Sequence, residues 1–292
     1  MSNRHKFIGS LITILKHNKD GSYRTQNDRS KSLIEMAKQL YQDGYQLEHI
    51  RQLKPKHVWH LVEGWKAGTT VGSGSMKNRM SHLRWLMQKI GKENSIPSSN
   101  DHFGIPKRQY VTGKDKSRLL TEGDLNKIKS ERTRLILRSQ ELFGLRLEES
   151  LKLQPFICDL GEQLHVFKTK GGRERYIPIR NQAQRQWLDE VKTLVKNQEA
   201  SLIPPETSYI RYRHRVEKRF QRAGINKVHG HRHLFAHRVF EELTGFPCPA
   251  KGGLKTSELT KDQRDLDKKA RLLISHFLGH SRQYISSVYC GQ

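Results

Sequence analysis

The octapeptide His229-Gly230-His231-Arg232-His233-Leu234-Phe235-Ala236 sets three imidazoles around one guanidinium at the start of a run that continues as an apolar helix. By itself it is ambiguous, because an HxxR spacing on a helix forms a surface pair as readily as a site. Its weight comes from three companions. Upstream lie Phe143-Gly144-Leu145-Arg146-Leu147-Glu148-Glu149-Ser150-Leu151 and Lys168-Thr169-Lys170-Gly171-Gly172-Arg173-Glu174-Arg175-Tyr176-Ile177-Pro178. Downstream, Leu278-Gly279-His280-Ser281 is followed by Tyr289, nine positions after His280. Each has an ordinary reading too. An Arg opening an apolar helix is commonly ion-paired or snorkelling. A Lys in a Gly-rich hairpin is commonly solvated, and a Tyr near the end of a sequence commonly packs.

Together these residues share one chemistry. Two guanidiniums, Arg146 and Arg232, can straddle the non-bridging oxygens of a phosphate, because the fork matches that geometry and stays charged. His229 and His280 can add hydrogen bonds to the same oxygens. Such preorganised donors stabilise the charge that builds on a five-coordinate phosphorus more than they stabilise the ground state. A tyrosine hydroxyl is a nucleophile able to form a covalent phosphoenzyme link. A Lys on a hairpin can protonate a leaving oxygen. No carboxylate cluster accompanies the set, so neither a metal nor another cofactor is expected.

The composition agrees. Across 292 residues, 54 Lys and Arg stand against 29 Asp and Glu, for a net charge of +25, and the hydrophobic fraction is 34%. Such an excess of cations points to a polyanionic partner and says nothing of fold. The charge is spread, +11 over residues 1–112 and +14 over 113–292, as on folded basic domains rather than on a tail. No apolar stretch approaches the ~18 residues a membrane helix needs, so no membrane partner is expected. Phe7–Leu15 follows a basic start but contains Gly9, Ser10 and Thr13 and precedes no small-residue cleavage site, so it is not read as a signal peptide. Three scattered cysteines, 158, 248 and 290, do not make a disulfide framework and suit a reducing cytoplasm.

The chain divides near residue 100. Helical stripes run through Ser32–Tyr41, from Pro55 through Trp65, and through Met76–Ile90, giving a helical first domain over 1–100. Lys77, Arg79 and Arg84 lie off the apolar face of the third stripe, either as a solvated face or as a DNA-backbone contact. From Lys92 to Lys116 there is no periodicity, and a basic linker is placed at 101–116, able to swing a small domain round a rod-like polyanion. In the second domain, 117–292, helices are predicted at about 122–130, 132–143, 147–153, 181–197, 208–222, 230–244 and 266–278. Leu164–Thr169 and Arg173–Ile179 alternate as two strands joined across Lys170-Gly171-Gly172. The fold is therefore expected to be mainly α with one small antiparallel sheet. In Tyr209–Arg215 the aromatics and Ile210 either pack inward, or Arg211, Arg213 and Arg215 meet a DNA backbone.

Arg146, Lys170, His229-x-x-Arg232, Leu278-Gly279-His280 and Tyr289 resemble, in order, local context and the last spacing, the catalytic signature of the tyrosine recombinases, the phage-integrase and Xer-like enzymes. Glu149, three after Arg146, matches the accompanying acidic residue. The resemblance covers about 143–289. The first domain matches only as a small basic helical unit like the family's core-binding domain.

The resemblance implies a helical core-binding domain followed by a catalytic domain, and a site-specific recombinase, or integrase, of a mobile element. Tyr289 would attack a DNA phosphodiester to give a 3′-phosphotyrosyl link and a free 5′-hydroxyl. Arg146 and Arg232 would clamp the phosphate with help from His280. Lys170 would protonate the leaving oxygen, His229 would serve as acid/base or phosphate ligand, and Glu149 would orient its neighbours. The implied partners are double-stranded DNA recombination sites, a homotetramer in a synaptic complex, and accessory DNA-bending proteins. A catalytically silent DNA-binding factor on the same fold and a type IB topoisomerase are the alternatives.

This sequence departs from the family pattern in places. Gly245–Lys261 reads as an inserted loop, either plain surface or a contact to DNA or another subunit. Only three residues follow Tyr289, where many members continue into a helix that docks on a neighbouring subunit; that mode of assembly is placed in question. Tyr284 is a second hydroxyl, and Tyr289 is preferred for its spacing. A metal site on His229, His231 and His233 with Cys248 or Cys290 is disfavoured, because residues two apart on a helix face different ways. Cys290, beside Tyr289, is read as incidental rather than as a redox switch.

Overall fold

The structure, a computed structural model, describes residues 3–292 apart from Lys168, Lys170 and Gly171. It is mainly helical with one two-stranded antiparallel sheet. Two compact units divide it, residues 1–109 and 110–292. No helix among the described residues is long and apolar enough to cross a membrane.

The first unit contains α1 (Asn3–His17), α2 (Tyr23–Gln42), α3 (Pro55–Ala67) and α4 (Ser73–Lys89). The predicted stripes form its core: Leu33, Met36 and Leu40 meet Val58, Leu61, Val62 and Trp65, and Met80, Leu83 and Met87. Two features escaped the pattern. The segment weighed as signal-like is α1, and it buries Phe7 and Leu11 in this core. The aperiodic stretch placed in the linker is partly core as well. Short 3₁₀ turns at Glu93–Ser95 and Asp101–Phe103 seat Ile96, Phe103 and Ile105 there, and the Phe103 ring lies 4.5 Å from that of Trp59. Isolated apolar residues on turns carry no period, so sequence spacing does not reveal them.

The second unit runs α5 (Glu122–Asn126), α6 (Glu131–Leu142), α7 (Leu147–Lys152), α8 (Pro155–Cys158), β1 (Gln163–Val166), β2 (Arg175–Pro178), α9 (Gln182–Val195), α10 (Tyr209–Arg222), α11 (His229–Thr244), α12 (Lys261–Phe277) and α13 (Ser286–Cys290). The strands pair with Leu164 opposite Ile177, both fully buried. At the centre stands α11, packed by α6, α12 and α13 and buried along most of its length. Trp187 of α9 fills the core beside Phe143 and donates its indole N–H to the Leu135 carbonyl at 2.9 Å.

The helix predicted at 122–130 ends at Asn126, and two further departures have local reasons. Helix α12 begins five residues before the predicted 266, because Thr260 and Gln263 form a reciprocal capping box. The loop read foremost as a surface insertion is partly buried. Cys248, Ala250 and Leu259 are inside, and a turn at Pro249–Lys251 lies against α13. There a Cβ on Gly291 would stand 2.9 Å from the Ala250 nitrogen.

Candidate active site

Arg146 is held by its own helix start. Helix α6 ends at Leu142, and the chain turns through Gly144 at φ +60°. Only glycine fits: a Cβ there would stand 2.5 Å from Phe235 and 2.9 Å from Leu278. Arg146 then caps α7. Glu149, three residues on, accepts the Arg146 backbone N–H at 2.8 Å and its side-chain Nη1 at 2.7 Å.

Glu149 in turn faces Arg175 on β2, which donates Nη1 and Nη2 at 3.0 and 2.7 Å. Both side chains are 1% exposed. Burial alone would raise the carboxyl pKa; hydrogen bonds and charge from Arg175, then the charges of Arg146 and Arg232, hold it at about 2.

Arg232 sits in the first turns of α11 and is fully buried. Its fork donates to the carbonyls of Gly144 and Leu278, and its Nε donates to the Tyr289 hydroxyl at 3.2 Å. Burial brings its pKa down to about 10, which leaves it cationic at neutral pH. Past α12, Gly279 turns at φ +64°, where a Cβ would meet Arg175 Nη1 at 3.0 Å, and presents His280. His280 Nε2 lies 3.2 Å from the Tyr289 hydroxyl and 3.5 Å from Arg232 Nη2. A guanidinium can only donate, so this contact requires Nε2 to be the acceptor. Burial, then Arg232, Arg146 and Arg175, push the His280 pKa to about 3, so the ring is neutral. The phenol, accepting from Arg232, can therefore donate to His280.

Tyr289 is 5% exposed, with ring centres 4.6 Å from His233 and 5.9 Å from His229. Desolvation by the surrounding protein, then Arg232 and Arg146, lowers the His229 pKa to about 4, although part of the residue faces solvent. His233, buried, is likewise held at about 4, by burial and then by His229 and His237. The run of histidines fans out: His231 donates Nδ1 to the Arg118 carbonyl at 2.9 Å, away from Tyr289. Among the described residues no three His, Cys, Asp or Glu side chains are grouped to hold a metal. Tyr284 is 56% exposed, apart from this cluster.

Five of the six residues named for chemistry thus fall in one place: Arg146, His229, Arg232, His280 and Tyr289. The sixth, Lys170, lies outside the described residues, between the strands β1 and β2. Sequence reasoning missed two supports. One is Arg175, whose signal was strand alternation, since it shares the inward face of β2 with Ile177. The other is His237, which donates Nε2 to the Tyr289 carbonyl at 2.8 Å and fixes α13 from below. All three cysteines are buried, and none is in a disulfide.

The residues named for DNA contact divide. Arg211 and Arg215 are exposed on α10, while Arg213 pairs with Glu217 at 3.0 Å. Tyr212 is buried as expected, but Ile210 is not: it is 64% exposed, because the buried face of α10 runs through Tyr212, Val216 and Phe220. On α4, Lys77 is half-buried and Arg79 lies over the Trp65 ring at 5.0 Å. Arg84 is a correction. It turns inward to the Pro97 carbonyl at 3.0 Å and Asn100 Oδ1 at 2.8 Å, and burial lowers its pKa. Its donors serve the fold of the first unit.

Comparison with known proteins places this geometry. Residues 5–96 match the family model described as phage integrase, N-terminal. Tyrosine recombinase XerC of Chromobacterium violaceum is 30% identical over 196 residues, 59% of this chain; the match spans 62% of that protein's length. Among solved structures, a lambda integrase dimer bound to a COC′ core site superposes with a TM-score of 0.59 at 16% identity, over 96% of this chain and 94% of that one. The Tn1549 transposon integrase in complex with transposon right end DNA gives 0.54 at 14%, over 99% and 94%. These structures share the fold. The signature gathered at this site, the N-terminal family match and the XerC relative agree in pointing to the tyrosine recombinases, or phage integrases, as the proteins this chain is similar to.

Proposed function

We propose that this protein is a site-specific DNA recombinase, an integrase of a mobile element, that cleaves and rejoins DNA through a 3′-phosphotyrosyl intermediate. The observation that carries the reading is the Tyr289 hydroxyl, held at 3.2 Å from both Arg232 Nε and His280 Nε2. A phenol so placed has a cation at its oxygen and an acceptor for its proton. The oxygen attacks the phosphorus, the bond to the 5′-oxygen breaks, and the proton passes to His280, whose basicity the bound phosphate anion raises by offsetting the charges of Arg232, Arg146 and Arg175. Arg146 and Arg232 stabilise the charge on the non-bridging oxygens. Lys170 supplies a proton to the leaving 5′-oxygen. His229, farther from the phenol, binds the phosphate, and Glu149 orients Arg146. Because the link conserves the phosphoryl bond energy, a 5′-hydroxyl from another duplex reverses the step and completes strand exchange.

Solved relatives are described as dimers on a core site, as a tetramer bound to a Holliday junction, and with transposon end DNA. By analogy this chain acts on duplex recombination sites as a homotetramer, with DNA-bending proteins as accessory partners, on the DNA of a bacterial cytoplasm. Residues 1–109 serve as the core-binding domain and 110–292 as the catalytic domain, each lending cations to the grip; Arg211 and Arg215 are the most accessible of these.

Incubation with a suicide DNA substrate tests the reading. Wild type yields a covalent protein–DNA adduct and Tyr289→Phe yields none. Absence of an adduct on the cognate site would leave a silent DNA-binding factor, and supercoil relaxation without site preference would assign a type IB topoisomerase instead.

A further inference from the structure

Arg175 is not among the residues named for chemistry, yet it joins three parts of the site. Glu149 receives four hydrogen bonds: two from Arg146, through N at 2.8 Å and Nη1 at 2.7 Å, and two from Arg175, at 3.0 and 2.7 Å. The third nitrogen of the Arg175 guanidinium, Nε, donates to the Phe277 carbonyl at 2.7 Å, at the end of α12 just before the turn that presents His280. Arg146 Nη2 lies 3.5 Å from the Gly279 carbonyl of that same turn. The Arg146 side chain is 28% exposed whereas that of Arg175 is 1% exposed, so Arg146 can meet a phosphate and Arg175 cannot.

We propose that Arg175 is a positioning residue that keeps the positive charge of Arg146 available to the scissile phosphate. The inference rests on the DNA-cleavage reading above and deepens it. An isolated Arg146–Glu149 pair would be neutral, and its guanidinium would be drawn into the carboxylate. A second guanidinium behind the same carboxylate leaves the trio with one net positive charge. The only member of the trio that faces outward is Arg146, so the surplus is expressed where an anion would bind. A buried carboxylate shared by two guanidiniums also fixes the Arg146 rotamer, since each oxygen is held from both sides. Because Arg175 rides on β2 and anchors the end of α12, one side chain sets the charge of the clamp and the distance between Arg146 and His280.

The test is single-turnover cleavage of a suicide substrate at saturating DNA, with DNA affinity and thermal stability measured in parallel. Arg175→Gln is expected to slow cleavage about 100-fold, on the scale of losing one preorganised donor to the reacting centre. DNA affinity is expected to stay near that of wild type. The decisive variant is the double substitution Arg175→Gln with Glu149→Gln. Removing both charges returns the cation to Arg146, so the double variant is expected to cleave about tenfold faster than Arg175→Gln alone, a rescue of electrostatic origin. A double variant no faster than the single would overturn the proposal and make Arg175 a prop of the fold. Should Arg175→Gln not fold, Arg175→Lys decides: it keeps the charge and loses the fork. Cleavage within about tenfold of wild type supports the charge argument, and a loss beyond about 100-fold overturns it. Failure of the two readings is separable. No adduct with wild type sinks the cleavage reading, whereas wild-type adduct formation with an equally fast Arg175→Gln sinks only this one.

Discussion

The proposed chemistry hangs on three polar atoms within hydrogen-bond reach: Arg232 Nε, His280 Nε2 and the Tyr289 hydroxyl. Arg232→Lys would replace a planar fork by a point charge and leave the Gly144 and Leu278 carbonyls without it. Adduct formation is expected to fall by about 10²–10³-fold, measured as the rate of covalent trapping. The histidines make a second prediction, about pH. His229 and His233 are held at about 4 and His280 at about 3, against an ordinary 6.5. Each is neutral when folded and becomes charged more easily when unfolded. The unfolded chain therefore binds more protons below pH 6.5, and stability is present above that value and lost as pH falls from about 6.5 towards 4. Glu149, at about 2 against 4.5, contributes in the same direction below pH 4.5. Urea midpoints should drop steadily through this range; midpoints unchanged from pH 7 to about 4.5 would contradict the neutral histidines.

At the level of elements, support and chemistry can be separated. Thr260 accepts the Gln263 N–H at 3.3 Å to open α12. Thr260→Ala should cost about 1 kcal/mol of stability by chemical denaturation while leaving cleavage intact, because the cap stands at the far end of the helix from His280. Trp187→Ala, which empties the core between α6 and α9, should cost about 3–5 kcal/mol. Elements also show what the sequence could disclose. The helix stripes and the alternating strands were legible because their signals are local. So were the five described residues that gather round Tyr289, since each is embedded in a contiguous signature. Arg175, the buried loop around Cys248 and the inward turn of Arg84 were not, because their meaning depends on partners far along the chain. A periodic pattern shows which face of a helix is apolar. It does not show what covers the rest, which is why one reading of Tyr209–Arg215 packed Ile210 inside, where the structure leaves it exposed.

Taken whole, the molecule carries +25 on two units, and under the proposed function a few of those cations serve one phosphate site. The others govern how the proposed grip on DNA responds to ions. Neutralising several phosphates releases counterions, so affinity should fall about 10³-fold or more between about 50 and 200 mM salt; a flat titration would refute a backbone grip. The Arg232 cradle has a further consequence. Its two acceptors are main-chain oxygens, at Gly144 and Leu278, from parts of the sequence far apart. Carbonyls do not change when side chains do, so conservative replacements around Leu278 can accumulate without moving the clamp. Lengthening or shortening either turn by one residue would swing a carbonyl away. With the turn glycines Gly144 and Gly279 kept, drift by substitution is tolerated in this site where drift by insertion is not.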